Sequence, residues 1–516
     1  MFKQFIRNSS ANIIYRIVTV FSSLIATPIL INSLGSINYG LIAYLFILTI
    51  NGYVSLLDSG FSGAITKYIA EYSAIDDERN LFKFINISVF LYIFIGLISS
   101  LLILFFGFSI VKLFLHIEET NSDLIRINLY IISALNFIDF IGLSFISILQ
   151  GLQRFDIIRT NQIIKTATYL LLIIIFAQKD LLRFGWLSSL FVANLLSYFL
   201  MFNSLKKLKK RWHLALVYDK NVARTLLSFS GKIFILRITG VVYNNISKTL
   251  VGYFGKPNDI TTLDVAQKVN NIGNISQAIF SPLIVPASSD LNAKNDFENL
   301  RKLYLRGTLI TSSFAINSMI ILMLSLKQIL KIWINPEFSN NALTINLFIS
   351  YLLFYPLVSI GWNMIIGIGN IRKIIYINVF TVTLIVILAL LLVPRYMIIG
   401  LGISFFLSNL ISTILYLKYF NSYFQVYTFE FIRNVVFKIY SVSIIIIVLN
   451  YAIDWLLLLI NYQSTYLVLF KLGFIFLLSL VIQFYFVLNK IERIKIKNYL
   501  VNIGVCHNFP RDFKNE

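Results

Sequence analysis

Residues 84–108 read FINISVFLYIFIGLISSLLILFFGF, a long run without one charged side chain. A helix needs roughly 20 mostly apolar residues to cross the hydrocarbon core of a bilayer, so this run predicts a transmembrane helix. A strand of a transmembrane barrel would show about 10 residues of strict alternation instead. Working outward from this run, the chain contains about fourteen comparable segments: 12–33, 39–58, 84–108, 124–149, 157–178, 184–203, 227–254, 261–287, 303–326, 342–366, 374–393, 398–417, 434–459 and 466–488.

The composition agrees with a chain that crosses a membrane many times. Hydrophobic residues make up 58% of the 516 residues, charged residues only 13%, and the mean hydropathy is +0.80. No soluble domain needs so many apolar residues to fill its core. The first apolar run is too long for a signal peptide and lacks a cleavage site of small residues, so we expect it to stay as the first span. The predicted fold class is an all-α integral membrane protein with about 14 transmembrane helices.

The net charge of +21 reflects the orientation of the chain in the membrane. With fourteen spans, the loops on the side of the two termini carry about four times as many Lys and Arg residues as the loops on the other side. This asymmetry predicts that both termini are cytoplasmic. A nucleic-acid site is not expected, because no soluble domain with interleaved aromatic residues accompanies the basic charge.

The sequence offers no catalytic or metal site. The single cysteine, Cys506, excludes a disulfide framework within the chain, and the three histidines are scattered along it. There is no phosphate-binding loop of the Walker type, and no loop is long enough for an extramembrane catalytic domain. We therefore predict that the protein is not an enzyme and needs no cofactor, although transport coupled to H⁺ or Na⁺ stays open.

Short matches between the two halves of the chain predict an internal duplication. LGSIN at 34–38, after the first span, corresponds to FGKPN at 254–258, after the seventh. GLQR at 151–154 corresponds to GIGNIR at 367–372, after the fourth and tenth spans. An even number of spans in each half gives parallel repeats. We predict an N-terminal lobe with spans one to six, a C-terminal lobe with spans seven to twelve, and an appendage with spans thirteen and fourteen and a basic tail. The boundaries are 1–210, 211–425 and 426–516.

Cations lie inside the predicted spans, where burial in hydrocarbon costs roughly 2.5–3.5 kcal/mol or more. Arg16 and Arg237 occupy corresponding places in spans one and seven. Residues three, four and seven apart share a helix face, so Arg237, Asn244 and Lys248 form one polar stripe. Lys268 lies on a polar face of span eight. We predict that a cationic cavity for an anionic substrate contains five residues: Arg16, Arg237, Lys248, Lys268 and Asn244.

Further acidic and basic residues lie inside the predicted spans. Asp139 and Asp58 are candidate counter-ions of the buried cations or coupling groups for a transported ion. Lys165 and Asp264 receive no assigned role. Lys471 lies near the end of its span and is expected to extend its amine to the membrane surface.

Several short motifs resemble one family of transporters. They are LGSINYG at 34–40, LDSGF at 57–61, TKYIAEY at 66–72, QGLQRF at 150–155 and SPLIVP at 281–286. Together they resemble Wzx-type polysaccharide flippases, which move O-antigen and related lipid-linked oligosaccharides and belong to the multidrug/oligosaccharidyl-lipid/polysaccharide exporter superfamily.

The resemblance implies a MATE-like fold, in which two six-helix lobes surround a central cavity that opens alternately to either side. The implied substrate is an oligosaccharide on undecaprenyl diphosphate, a precursor of surface polysaccharide such as lipopolysaccharide. By position, Arg16, Arg237 and Lys248 would bind its diphosphate. The lipid bilayer and, in this family, the polysaccharide polymerase and chain-length proteins are the implied partners.

Three alternatives remain open from the sequence. A cation-coupled multidrug exporter would share the architecture but should have a cavity dominated by acidic and aromatic residues. A flippase for lipid-linked peptidoglycan precursors would share the anionic head group and has fourteen spans. A glycan polymerase would need catalytic residues in a large outer loop, which this chain lacks.

Overall fold

The computed structural model describes residues 2–115, 122–179, 181–209, 212–217, 219–459, 465–490 and 492–494. All regular structure in these residues is helical. The basic tail beyond residue 494 lies outside the described residues. The α-helices are α1 (Phe2–Leu45), α2 (Phe61–Ala74), α3 (Glu78–Phe114), α4 (Ser122–Gly151), α5 (Phe155–Gln178), α6 (Leu182–Leu208), α7 (Lys220–Phe254), α8 (Pro257–Ala293), α9 (Phe297–Trp333), α10 (Ala342–Ile349), α11 (Pro356–Ile368), α12 (Arg372–Tyr423), α13 (Thr428–Phe431), α14 (Phe437–Leu459) and α15 (Thr465–Phe486). Short 3₁₀ turns lie at Phe46–Leu48, Tyr53–Asp58, Glu337–Asn341 and Ser350–Leu353, and a π-helical turn lies at Ile432–Val436.

The protein is a multi-pass α-helical membrane protein, as predicted. Among the described residues, 8 helices are long and apolar enough to cross a membrane, and a bent pair of helices around α10 and α11 brings the number to 9. Two of the eight, Ile14–Asp58 and Arg372–Tyr423, each contain two of the predicted spans. The count of fourteen crossings stays a prediction.

Two of the longest helices are broken at a single residue with positive φ. Gly35 in α1 has φ 75° and ψ 158°, and Met397 in α12 has φ 48° and ψ −128°. Glycine takes a positive φ at little cost because it has no Cβ. Gly35 lies between the predicted first and second spans, and Met397 lies between the eleventh and twelfth. The backbone therefore changes direction where the sequence predicts that a span ends.

The second predicted span, 39–58, is less regular than expected. Its α-helix ends at Leu45, and 3₁₀ turns continue the chain. A Cβ at Gly52 would lie 2.1 Å from the carbonyl oxygen of Ile47, so only glycine fits there. This interruption places Asp58 immediately before α2, with its backbone outside any regular α-helix.

The described chain forms two compact units. The first contains Met1–Ile272, Leu330–Ser350 and Ile375–Asn409, and the second contains Gly273–Ile329, Tyr351–Ile374 and Leu410–Glu516. The lobe boundaries predicted from the internal repeat, 1–210 and 211–425, stay a prediction.

Within the first unit, α2, α3, α4 and α6 share an apolar core that includes Phe84, Ile148 and Met201. Helix α4 packs closely on α6 because Gly142 has no side chain. A Cβ at Gly142 would lie 2.2 Å from the ring of Tyr198. The glycine therefore allows the Tyr198 ring to lie against α4, where its hydroxyl reaches Asp139.

In the second unit, α14 packs on α15 through a charged contact. The Nζ of Lys471 lies 2.5 Å from Oδ1 of Asp454, and the side chain of Lys471 is only 2% exposed. The expectation that Lys471 extends to the membrane surface is therefore wrong. A partner on the neighbouring helix satisfies the ammonium group inside the protein.

Candidate functional site

A cavity of about 610 Å³ lies in the first unit. Its walls come from α1, the turn after α1, and helices α5 to α8. Most of the lining side chains are polar, and they contribute hydroxyl, amide and ammonium groups. The lining residues are Tyr15, Thr19, Ser22, Ser23, Ala26, Thr27, Leu30, Phe46, Ile47, Asn51, Lys165, Thr166, Tyr169, Trp186, Leu190, Asn244, Asn245, Lys248, Asp264, Gln267, Lys268 and Asn271.

Cations outnumber anions in the wall of this cavity. Three lysines line it, Lys165, Lys248 and Lys268, against the single carboxylate of Asp264. Within the described part of the chain, Lys165 makes no hydrogen bond and no ion pair within 4 Å, but it interacts electrostatically with the carboxylate of Asp139. A cavity with this excess of positive charge raises the local concentration of anions.

Asp264 forms ion pairs with two of the three lysines, Lys248 and Lys268. Its Oδ1 lies 2.7 Å from the Nζ of Lys248, and its Oδ2 lies 3.0 Å from the Nζ of Lys268. The hydroxyl of Tyr39 donates a hydrogen bond of 2.7 Å to the same Oδ2 and also contacts the Nζ of Lys268. Helices α7 and α8 follow one another through a short turn, which brings Lys248 near Asp264, while Lys268 lies one helical turn after Asp264.

Aromatic rings form another part of the wall. The Trp186 ring stacks on that of Tyr39 with 4.8 Å between centroids, and the Phe46 ring lies 5.5 Å from that of Trp186. The indole Nε1 of Trp186 donates a hydrogen bond of 3.1 Å to the hydroxyl of Tyr169. Sequence reasoning missed these aromatic residues, because 15% of the chain is aromatic and nothing in the pattern marks these particular ones.

A second charged cluster surrounds Asp58, which is completely buried. Its carboxylate forms an ion pair with Nη1 of Arg237 and accepts a hydrogen bond from the hydroxyl of Tyr92. The backbone N–H and the hydroxyl of Ser62 donate further hydrogen bonds of 3.1 and 2.9 Å. The pair connects the start of α2 to α7, and these donors offset much of the cost of burying the carboxylate.

Asp139 lies in a third polar site, between α4 and α6. Its Oδ1 accepts hydrogen bonds of 2.6 Å from the amide of Asn194 and 3.1 Å from the hydroxyl of Tyr198. The side chains of Asp139 and Asn194 are buried and that of Tyr198 is half-buried, and Oδ1 of Asn194 has no hydrogen-bond partner. The hydrogen-bonding partners of Asp139 are therefore neutral groups, while the cation Lys165 interacts with it electrostatically, and its role as a counter-ion or coupling group stays a prediction.

The structure brings some of the predicted site residues together and separates others. Lys248, Lys268 and Asn244 line the cavity. Arg16 is exposed on α1, while Arg237 is bound to Asp58. A role in substrate binding for each of these residues stays a prediction. Lys165 and Asp264, which the sequence left without a role, also line the cavity.

Comparisons with known structures agree with a transporter fold. A multidrug resistance MATE family transporter of the MOP superfamily, facing inward, superposes with a TM-score of 0.69 at 14% identity, over 80% of this chain and 98% of that one. The lipid II flippase MurJ, in an inward closed conformation, superposes with a TM-score of 0.69 at 17% identity, over 93% and 99%. A MOP superfamily transporter from Pyrococcus furiosus, whose binding pocket is described as having reverse polarity, superposes with a TM-score of 0.57 at 15% identity. The superposition covers 82% of this chain and 96% of that one.

These identities are low, so the structural likeness establishes the fold alone. It confirms the predicted MATE-like architecture. No protein of curated function matches the sequence. The family model of polysaccharide biosynthesis proteins matches residues 5–292. That match covers more than half of the chain, and this multi-pass membrane protein therefore belongs to the polysaccharide biosynthesis protein family.

Proposed function

We propose that the protein is a flippase for undecaprenyl-diphosphate-linked oligosaccharide. It carries an O-antigen or related repeat unit of surface polysaccharide from the cytoplasmic to the periplasmic leaflet of a bacterial inner membrane by alternating access. Both termini then lie in the cytoplasm. The observation that carries the proposal is the cavity wall with three lysines and one aspartate.

The chemistry of the wall suits the head group of such a lipid. Ammonium groups bind phosphate oxygens through charge-assisted hydrogen bonds, and the ammonium of Lys165 makes no hydrogen bond or close ion pair among the described residues, although it interacts electrostatically with Asp139. Amide and hydroxyl groups such as Asn244, Asn271 and Thr19 can bond sugar hydroxyls. The volume of 610 Å³ lies within the range of about 300–1,000 Å³ that is usual for ligand sites, while the prenyl chain stays in the bilayer.

The proposal extends the predicted site beyond the cavity wall. Arg16 and Arg237 lie on the same two helices, α1 and α7, that supply part of the wall, and we retain them as candidate contacts for acidic sugars. Asp139 and Asp58 are the candidates for coupling transport to H⁺ or Na⁺, because each is a buried carboxylate. The polysaccharide polymerase and chain-length proteins are the proposed protein partners.

Two other kinds of transporter with this fold are alternatives to the proposed function. A multidrug exporter for cationic drugs is disfavoured by the excess of lysine in the cavity. A flippase for lipid-linked peptidoglycan precursors would handle the same diphosphate. The MurJ structure superposes on 93% of this chain, whereas the inward-facing MATE structure superposes on 80%. Rescue of a cell depleted of its own lipid II flippase would favour this second candidate.

The proposal is tested by deleting the gene and measuring lipid-linked oligosaccharide in the inner membrane. We expect this lipid to accumulate on the cytoplasmic face and surface polysaccharide to disappear. Complementation with Lys165→Gln should fail, whereas Lys179→Gln should restore the polysaccharide, because Lys179 is exposed at the end of the same helix. Unchanged polysaccharide with altered drug sensitivity would contradict the proposal.

A further inference from the structure

Asp264 holds the two lysines that an anionic ligand would need. Its carboxylate lies 2.7 Å from Lys248 and 3.0 Å from Lys268 and accepts a third contact from Tyr39. Two ammonium groups are also the donors that suit a pair of phosphate oxygens. We propose that Asp264 competes with the diphosphate of the substrate for these lysines and is displaced when the head group binds. The inference rests on the proposed function and specifies how the same cavity selects its ligand.

The exposure of these groups allows the exchange. The side chains of Lys248, Asp264 and Lys268 are 11%, 13% and 22% exposed, and all three line the cavity. A ligand in the cavity can therefore reach the ammonium groups without unfolding a helix. The Tyr39 ring is fully buried and stacked on Trp186, so the hydroxyl that holds Asp264 is fixed in place.

The exchange favours a ligand with more charge than a carboxylate. A diphosphate offers several strongly accepting oxygens and more than one negative charge, and it can also reach the ammonium of Lys165, which lines the same cavity. A ligand with one charge or none gains less than it loses when Asp264 leaves the lysines. The competition therefore lowers the affinity for every anion but discriminates in favour of diphosphates.

The same competition assists release. Lys248 lies on α7, whereas Asp264 and Lys268 lie on α8 and Tyr39 lies on α1. When the diphosphate departs, Asp264 returns to the lysines and restores the contact between α7 and α8. A protein without this carboxylate should bind the head group more tightly and release it more slowly.

The test uses the full-length protein purified in detergent and farnesyl diphosphate as the probe, with affinity measured by calorimetry. We expect Asp264→Asn to bind the probe on the order of tenfold more tightly than the wild-type protein, because one opposing charge has been removed. Tyr39→Phe should bind about two- to threefold more tightly, because Asp264 loses one donor but no charge changes.

Two variants serve as matched controls. Asp290→Asn makes the same charge change at an exposed ion pair with Lys294, and Tyr44→Phe removes a buried hydroxyl that has no hydrogen-bond partner. Neither should change the affinity for the probe. All variants are first checked for a single elution peak; if Asp264→Asn does not give one, Tyr39→Phe decides the question.

The outcomes separate the inference from the proposed function. Tighter binding by Asp264→Asn, or by Tyr39→Phe where that variant decides, supports the competition. Wild-type binding of farnesyl diphosphate with equal or weaker binding by the deciding variant overturns the competition and leaves the flippase proposal intact. Absence of binding by the wild-type protein and all variants contradicts the proposed function, and the competition fails with it.

Discussion

Neutralising both members of the ion pair between Arg237 and Asp58 tests whether Arg237 binds substrate or only stabilises the protein. The first change is Arg237→Gln, which leaves the carboxylate of Asp58 buried without its cation. A transport role predicts loss of surface polysaccharide because the substrate loses a contact. A structural role predicts the same loss because the protein is destabilised, so the single variant cannot distinguish them.

The expected size of the structural effect follows from the geometry. Removing one partner of a fully buried ion pair costs about 3–5 kcal/mol. Here Asp58 is completely buried, but Arg237 is 28% exposed, and Ser62 and Tyr92 continue to donate to the carboxylate. These two facts reduce the expected loss to about 2–3 kcal/mol. Asp58→Asn in the same background should restore about 1–2 kcal/mol, because no uncompensated charge is left.

The assay is a double-variant cycle on the purified protein, with unfolding in mixed detergent followed by tryptophan fluorescence, together with complementation of the deletion strain. If Arg237 serves only Asp58, the double variant Asp58→Asn/Arg237→Gln regains both stability and surface polysaccharide. If stability returns but the polysaccharide does not, either Arg237 binds substrate or Asp58 couples transport, and retained polysaccharide in Asp58→Asn alone assigns the loss to Arg237. If the double variant loses as much stability as the two single variants together, the assigned ion pair between Arg237 and Asp58 is refuted.

Three further predictions concern other parts of the chain. Lys165→Gln should weaken binding of farnesyl diphosphate about tenfold, as measured by calorimetry, whereas Lys179→Gln should not; equal effects would exclude Lys165 from the site. Gly142→Ala should destabilise the protein by about 1–3 kcal/mol, because the added Cβ would lie 2.2 Å from the Tyr198 ring; an unchanged melting temperature would contradict the packing of α4 on α6. At the start of α3, hydrogen bonds from the backbone N–H and the side chain of Asn80 lower the pKa of Asp77 below 3.8, so its stabilising contribution is complete above that pH and is lost as the pH falls through the lowered pKa. The melting temperatures of the wild-type protein and Asp77→Ala should therefore converge in acid, and a difference that grows on acidification would contradict this assignment.

Much of the fold follows from the sequence because burial in a bilayer demands long apolar runs. Such runs predict the helices, and the two breaks at Gly35 and Met397 fall at predicted span ends. The interruption around Gly52 was missed, because the close approach of the Ile47 carbonyl that requires glycine there is a property of the folded turn and leaves no trace in the apolar periodicity. Lys471 was misjudged for a similar reason, since its partner Asp454 lies on the preceding helix.

The candidate site was predicted less completely. Helical spacing indicated that Asn244 and Lys248 share a face, and both line the cavity. Spacing within one helix does not show which residue of another helix lies opposite, so it could not pair Arg237 with Asp58 or Lys248 with Asp264. The neutral partners of Asp139 depend on the close approach of α4 and α6, which is a property of the packed structure.

The central claim is that the lysine-rich cavity moves an anionic lipid-linked head group across the bilayer. The most direct measurement is the transbilayer movement of lipid-linked oligosaccharide in vesicles containing the purified protein. The account predicts that the wild-type protein and Lys179→Gln accelerate this movement, whereas the double variant Lys165→Gln/Lys248→Gln does not. Equal acceleration by the double variant, or none by the wild-type protein, would contradict it.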